Sequence, residues 1–306
     1  MSTSMTVRDG RDACDDRVRG AVRDPERPPT PRSHQQKRPF HVDTTLGRLT
    51  SSLRKRYHGH SMSPEVRPAT PTPQAGNIAA NLRRVQERVD AACRRAGRSP
   101  SEVTIVGVSK GFPAGAVVAA WQAGLRDMGE NRVQEAATKI ALATAQGARP
   151  RWHLVGHLQT NKVKTALSLF DIIHSVDSLH LATAIDRAAS RPVSVLLEVN
   201  VSGEASKYGL KPEEVEPALS RVRALPNIDV QGLMTVAPLL TDSEQARPVF
   251  RQLRELAQSL DLPQLSMGMS DDFEVAVEEG ATMIRIGRAI FGPRLEILEE
   301  ARPQTE

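Results

Sequence analysis

Eight strand-like segments, separated by stretches of helical period, recur between residues 103 and 287, and no other feature limits the possible folds so sharply. They are VTIVGVSK (103–110), RDMGEN (126–131), RWHLVGH (151–157), FDIIHSV (170–176), VSVLLEVNV (193–201), NIDVQGLMTV (227–236), QLSMG (264–268) and ATMIRIG (281–287). Between them lie amphipathic stretches such as AGAVVAAWQAG, VQEAATKIALATA, HLATAIDRAA, EEVEPALSRVRAL, SEQARPVFRQLRELAQSL and DDFEVAVEEG. Strands alternating with helices across short connections imply parallel βα units. Eight such units close naturally into a (β/α)8 TIM barrel of class α/β, although counting alone leaves a doubly wound open sheet possible. With aromatic residues at only 3%, the core must be aliphatic, which suits helices packed on parallel strands.

Ahead of the first strand, Ile78, Leu82, Val85, Val89 and Ala92 recur every three or four residues, predicting an amphipathic helix from Asn77 to Arg95 that Gly97 ends. Residues 1–75 read differently. They hold 9 of the 21 prolines and few apolar clusters, so they bury too little surface to offset ordering entropy. The expectation is a disordered Pro/Arg-rich extension over 1–75, with Met62 as an alternative start, and a single barrel domain over 76–306.

The formal net charge of +5 raises the question of a nucleic-acid partner. However, the first 75 residues carry 14 Lys and Arg against 8 Asp and Glu, of 41 and 36 in the whole chain, so the barrel is close to neutral. Aspartates also interrupt each basic run. No nucleic-acid partner is therefore expected, and a basic arm that binds RNA is the rival reading. Two cysteines, Cys14 and Cys93, fit neither a disulfide framework nor a metal-ligand spacing, which favours a reducing cytoplasm. No run reaches the length of a membrane helix, and no secretory signal is evident, so no membrane partner is expected.

In barrels of this kind the reactive groups lie where strands end and loops begin. Lys110, Glu130 with Asn131, His157, Asn200 with Ser202, Thr235, Ser270 and Arg285 all stand at or near predicted strand ends. Lys110 closes its strand and is followed by Gly111 and Pro113, the proline suited to opening a helix. At a barrel mouth, desolvation and nearby cations lower a lysine pKa and supply a neutral amine for attack on an aldehyde. By itself the position also suits a lysine that snorkels to water. The loops after the last two strands, SMGMSDD and RIGRAIFG, have phosphate-binding chemistry. Ser270 offers a hydroxyl, and Gly287 lets the backbone approach so that the amides at Gly287 and Arg288 can point at oxygens. Two Gly-containing turns with capping residues would look the same. Asp271 and Asp272 read as helix-capping acids rather than metal ligands, and His153 and His157, on one face of a predicted strand, lack the partners of a zinc set. No metal is expected.

The motifs GVSKGFP, MGENRVQEAATK, WHLVGHLQTNK, IHSVDS, LLEVNVSGEASKYGL, GLMTVAP and LSMGMSDDFEVAVEEGATMIRIGRAIFG occur in this order over about residues 76–294. Together they resemble the YggS/PROSC-like pyridoxal phosphate homeostasis proteins, whose barrel is similar to the N-terminal domain of alanine racemase. The resemblance implies pyridoxal 5′-phosphate carried as a Schiff base on Lys110. It also implies Ser270 and the backbone at Gly287 and Arg288 on the phosphate, Arg285 at the pyridine nitrogen, and Asn131, Met234 and Met267 around the ring.

Arg285 can only donate a hydrogen bond, so the pyridine nitrogen stays unprotonated and the ring is a weak electron sink. About twelve residues follow Arg294, too few for a domain bearing a catalytic tyrosine. A carrier that exchanges the cofactor with apo-enzymes or free amino acids, with no catalytic residues of its own, is expected; an amino-acid racemase or lyase is the alternative. The absent second domain also suggests a monomer. Two departures stand out: Gly111 replaces the usual polar residue after the lysine, which would loosen that loop, and Arg132 stands where many members have Tyr. Lys207, in SGEASKYGL, is a candidate to guide the anionic cofactor or hold a second molecule of it.

Overall fold

Parallel pairing runs unbroken around a closed ring, which excludes the open-sheet alternative. The computed structural model describes residues 73–293 apart from 239 and 240. Its strands are β1 (Thr104–Val108), β2 (Asp127–Glu130), β3 (Arg151–Leu154), β4 (Ile172–Val176), β5 (Val193–Glu198), β6 (Ile228–Met234), β7 (Gln264–Ser266) and β8 (Met283–Ile286). Each pairs with the next, and β8 returns to β1 with Val106 opposite Arg285. The helices are α1 (Pro73–Arg95), α2 (Ala114–Gln122), α3 (Val133–Ala145), α4 (Val163–Leu167), α5 (Leu179–Ala188), α6 (Pro212–Arg223), α7 (Arg247–Ser259), α8 (Phe273–Glu278) and α9 (Arg288–Phe291). α4 and α9 are too short to show a period in sequence. α1 begins at Pro73 rather than Asn77, because the apolar positions that reveal it start only at Ile78. The other expectations for residues 1–72, including the disordered extension and Met62, lie outside the described residues.

Apart from β4, the strands stop short of the sequence segments at their C-terminal ends, where side-chain alternation outlasts the hydrogen-bonded ladder. One side of each strand packs on the helices. The largest core cluster joins α1, through Ile78, Leu82, Val85 and Val89, to outward residues such as Met128, Leu154, Ile173, Leu197 and Leu233. The other side faces the lumen, and there a small apolar group, Val106, Leu196, Met234 and Met283, is separate from that core. Gly232 is fixed by the closeness of β6 and β7: a Cβ there would stand 1.9 Å from the Gln264 carbonyl oxygen. Behind the barrel, Glu279 accepts from Arg247, Arg251 and Arg254, tying α7 to the end of α8.

Candidate functional site

The alternation that fills the lumen also builds its mouth. Val108, Lys110, Asn131, Val155, Val236, Arg285 and Gly287 continue the lumen-facing parity of their strands, and all line one cavity of about 600 Å³ at the C-terminal end. Ser270 and Arg288 complete the wall from the last two loops, together with Met269 and Asp271. Six of the eight residues that the resemblance implies thus meet in one place, whereas the other strand-end candidates Glu130, His157, Asn200, Ser202 and Thr235 are not among the cavity-lining residues. Met234 and Met267 do not line it. Met234 is buried two residues below Val236, among Val106, Leu196 and Met283. Met267 follows the lumen-facing Ser266 and so turns into the strand–helix core, and after the turn at Gly268 it is Met269 that enters the cavity.

The backbone that presents Lys110 is clamped on both sides. Lys139, buried on α3, donates to the Ser109 carbonyl at 2.6 Å and to Glu130 Oε1 at 2.7 Å. It also meets Glu135 Oε1 at 2.9 Å, one turn away on the same helix, and Glu135 Oε1 accepts from the Gly111 amide at 2.7 Å. Burial would raise the Glu135 carboxyl, but Lys139 and the Gly111 amide hold it below the usual range. For Glu130 burial prevails over Lys139 and Ser109, and its pKa is raised. Gly111 has φ 77°, a left-handed conformation that disfavours a side chain by roughly 1–2 kcal/mol. Glycine therefore does not loosen this loop: it supplies the turn whose amide Glu135 holds.

Arg285 is buried below the cavity. Its Nη1 donates to Ser266 Oγ at 2.8 Å and its Nη2 to the Thr235 carbonyl at 2.8 Å. Burial lowers its pKa to about 10, against the opposing fields of Asp272 and Glu198, so it remains a cation near neutral pH. Glu198, at the end of β5, is pushed up to about 7 by burial and by Asp177, with Arg285 pulling the other way.

At the phosphate-like turn, Ser270 Oγ accepts from the Ala289 amide at 3.2 Å, so this hydroxyl is held against the first turn of α9. Gly287 has φ −101°, open to any residue, and a Cβ there would meet only Val108, its carbonyl oxygen at 3.4 Å and its Cβ at 3.9 Å. The fold does not require its missing side chain; the space it leaves belongs to the cavity wall. The aspartates do not cap α8 through their side chains. Asp272 turns back to accept from the Met269 amide at 2.6 Å, and Asp271 pairs with Arg288. Among the described residues no group of three or more His, Cys, Asp or Glu is placed to hold a metal ion.

A family profile described as alanine racemase, N-terminal domain, matches residues 75–294. Over 227 residues the chain is 44% identical to the pyridoxal phosphate homeostasis protein of Aquifex aeolicus, a match covering 71% of this chain and 99% of that one. The chain belongs to the pyridoxal phosphate homeostasis protein family. The pyridoxal phosphate homeostasis protein of Pseudomonas aeruginosa is 43% identical over 71% of this chain and 96% of its own. PipY of Synechococcus elongatus, solved with PLP bound, aligns at 38% identity with a TM-score of 0.61, covering 70% of this chain and all of that one. Alanine racemase of Clostridium difficile, at 16% identity and a TM-score of 0.54 over 70% of this chain and 55% of its own, shows a shared fold alone.

In this member of the family one group near the cavity, Glu198, carries no signal of its own in the sequence. Glu198 sits at a strand end, but its raised pKa comes from burial and from Asp177, which no local pattern reveals. His157 lies beyond the end of β3 and so does not share the buried environment of His153; its Nδ1 is 3.1 Å from Asp177 Oδ2 and its ring stacks on exposed Tyr208 at 4.0 Å. Lys207 lines a neighbouring pocket with Glu198 and Tyr208, pairs with Glu204 at 2.9 Å and donates to the Val236 carbonyl at 3.2 Å. Arg132 is exposed at the start of α3 and is not among the cavity-lining residues. No described helix is long and apolar enough to cross a membrane.

Proposed function

We propose that this chain binds pyridoxal 5′-phosphate in the 600 Å³ cavity and serves in cofactor homeostasis, holding and handing on the cofactor with little or no amino-acid turnover. The observation that carries the reading is the donor set: one amine, one hydroxyl braced at a helix start and two guanidinium groups line a single cavity of ordinary ligand size. When bound, the cofactor supplies an aldehyde that condenses with an amine, releasing water, and a ring that withdraws electron density.

Lys110 is the amine, presented by the clamp from Lys139 and Glu135. Ser270 Oγ, the amides at Gly287 and Arg288, and the Arg288 side chain form the anion end, where backbone N–H groups and a positive charge favour phosphate. Asn131 flanks the ring. Arg285 would face the ring nitrogen as a donor and keep it free of a proton. Withholding that proton weakens the electron sink that racemisation or decarboxylation requires, so the site favours retention and exchange over turnover. All of these residues come from one chain, in keeping with a monomer, and apo-enzymes in the cytoplasm are the proposed recipients.

The test is direct. The purified protein with added cofactor is reduced with borohydride, and the added mass is mapped. The mass is expected on Lys110 and absent from Lys110→Ala; equal reducible adduct in the variant refutes the assignment. Incubation with single L-amino acids tests the carrier role, since sustained Lys110-dependent formation of D-isomers or other products overturns it.

A further inference from the structure

Below the cavity, the polar side of the lumen forms one continuous line of side chains. From Arg285 it runs through Ser266 Oγ at 2.8 Å to His174 Nδ1 at 2.9 Å. From His174 Nε2 it continues to His153 Nδ1 at 2.9 Å, and from His153 Nε2 to Asp127 Oδ1 at 3.0 Å. Asp127 opens β2, at the end of the barrel opposite the cavity, and Oδ1 also accepts from Arg151 Nε at 2.6 Å. Ser266, His174 and His153 are fully buried.

The chemistry at the two ends sets every proton between them. A guanidinium can only donate and a carboxylate can only accept. Arg285 gives a proton to Ser266 Oγ, so the serine hydroxyl proton is available for His174 Nδ1. His174 then carries its proton on Nε2 and gives it to His153 Nδ1, and His153 carries its proton on Nε2 and gives it to Asp127. Reversing the neutral rings would set the lone pair of His153 Nε2 against the carboxylate and leave the Ser266 proton without a partner in this line. Protonating either ring twice would put another buried cation on the line that ends at Arg285, which the interior penalises. Burial, then His153 and Arg285, push the His174 pKa well below its usual value, and burial of Asp127 is outweighed by its bonds from His153 and Arg151.

We propose that Asp127, His153, His174 and Ser266 are positioning residues: a one-way hydrogen-bond line, anchored at the far end of the barrel, that holds Arg285 in place under the cavity. The consequence for the cofactor rests on the reading that Arg285 faces its ring nitrogen; the proton order does not.

Nitrogen-15 correlation spectra of the full-length, histidine-labelled protein, with signals assigned through His153→Gln and His174→Gln, read the order directly. Both rings are expected neutral with the proton on Nε2. An Nδ1–H form of His174, or a doubly protonated His153, overturns the proposal even if the cofactor binds normally. The second measurement uses the cofactor-loaded protein. Asp127→Asn, which keeps the shape and removes the anchoring charge, should weaken binding about two- to tenfold and move the cofactor's visible absorption, with unchanged circular dichroism. Asp127→Glu should restore both. An Asp127→Asn protein with wild-type affinity and absorption refutes the positioning role, whereas failure of the wild type to bind at all refutes the proposed function and leaves the spectra to judge the line.

Discussion

Lys139→Met tests the clamp that presents Lys110. The substitution keeps most of the length of the side chain and removes the cation that meets Glu130 Oε1 at 2.7 Å in a pair whose side chains are 5% and 0% exposed. Taking one partner from a buried ion pair costs about 3–5 kcal/mol, because the remaining charge must stay unpaired or become neutral. Glu130 already has its second carboxylate oxygen buried without a hydrogen-bond partner, so only the neutral Ser109 hydroxyl is left to hold the carboxylate. Its folded pKa, raised first by burial, lies above the unfolded value and rises further without Lys139. A raised acid stabilises the fold while protonated, below its unfolded pKa, and that contribution is lost as pH rises through the folded value. The deficit should therefore be larger at pH 8 than at pH 5. With a urea slope of about 2 kcal/mol per molar, the midpoint at pH 8 should fall by roughly 1.5–2.5 M. Glu130→Gln combined with Lys139→Met removes the stranded acid and should recover most of the loss. A single variant within about 0.5 kcal/mol of wild type at pH 8, or a double variant no better than the single, refutes the reasoning.

Two further perturbations probe the barrel and its mouth. Glu198, with a folded pKa of about 7, stabilises the protein fully below pH 4.5 and loses that contribution as pH rises through 7. Urea midpoints at pH 5 and 8 should thus show a slope in the wild type, worth up to about 3 kcal/mol, that Glu198→Gln abolishes; parallel pH profiles would count against it. Gly232→Ala sets a Cβ 1.9 Å from the Gln264 carbonyl oxygen, where backbone and not a flexible side chain must yield. A loss of about 3 kcal/mol or more is expected, and an unchanged thermal midpoint would show that β6 and β7 separate easily.

Much of this was legible in the sequence because a barrel strand writes its purpose in alternation. Lys110, Asn131 and Gly287 each continue the lumen parity of an apolar run past its end, and Arg285 keeps it inside β8, which is why local reading finds them. Met267 fails by the same rule, one position out of phase with Ser266, and Met234 is in phase but a layer too deep. What local reading cannot find depends on ring closure. His174 meets Ser266 across 92 residues, and Asp127 meets His153 across 26, so neither pair has a sequence signal of its own. Gly111 shows a third limit: glycine after Lys110 reads as slack until Glu135, 24 residues later, is seen to hold its amide.

The line from Asp127 to Arg285 also constrains how this barrel can change. An aliphatic wall tolerates substitutions one at a time, since neighbours of similar volume repack. A wall in which each atom's donor is the next atom's acceptor does not, because altering one member strands two others. Drift or redesign at positions 127, 153, 174 and 266 must therefore proceed in matched sets, and homologues that differ at one are expected to differ at its neighbours as well.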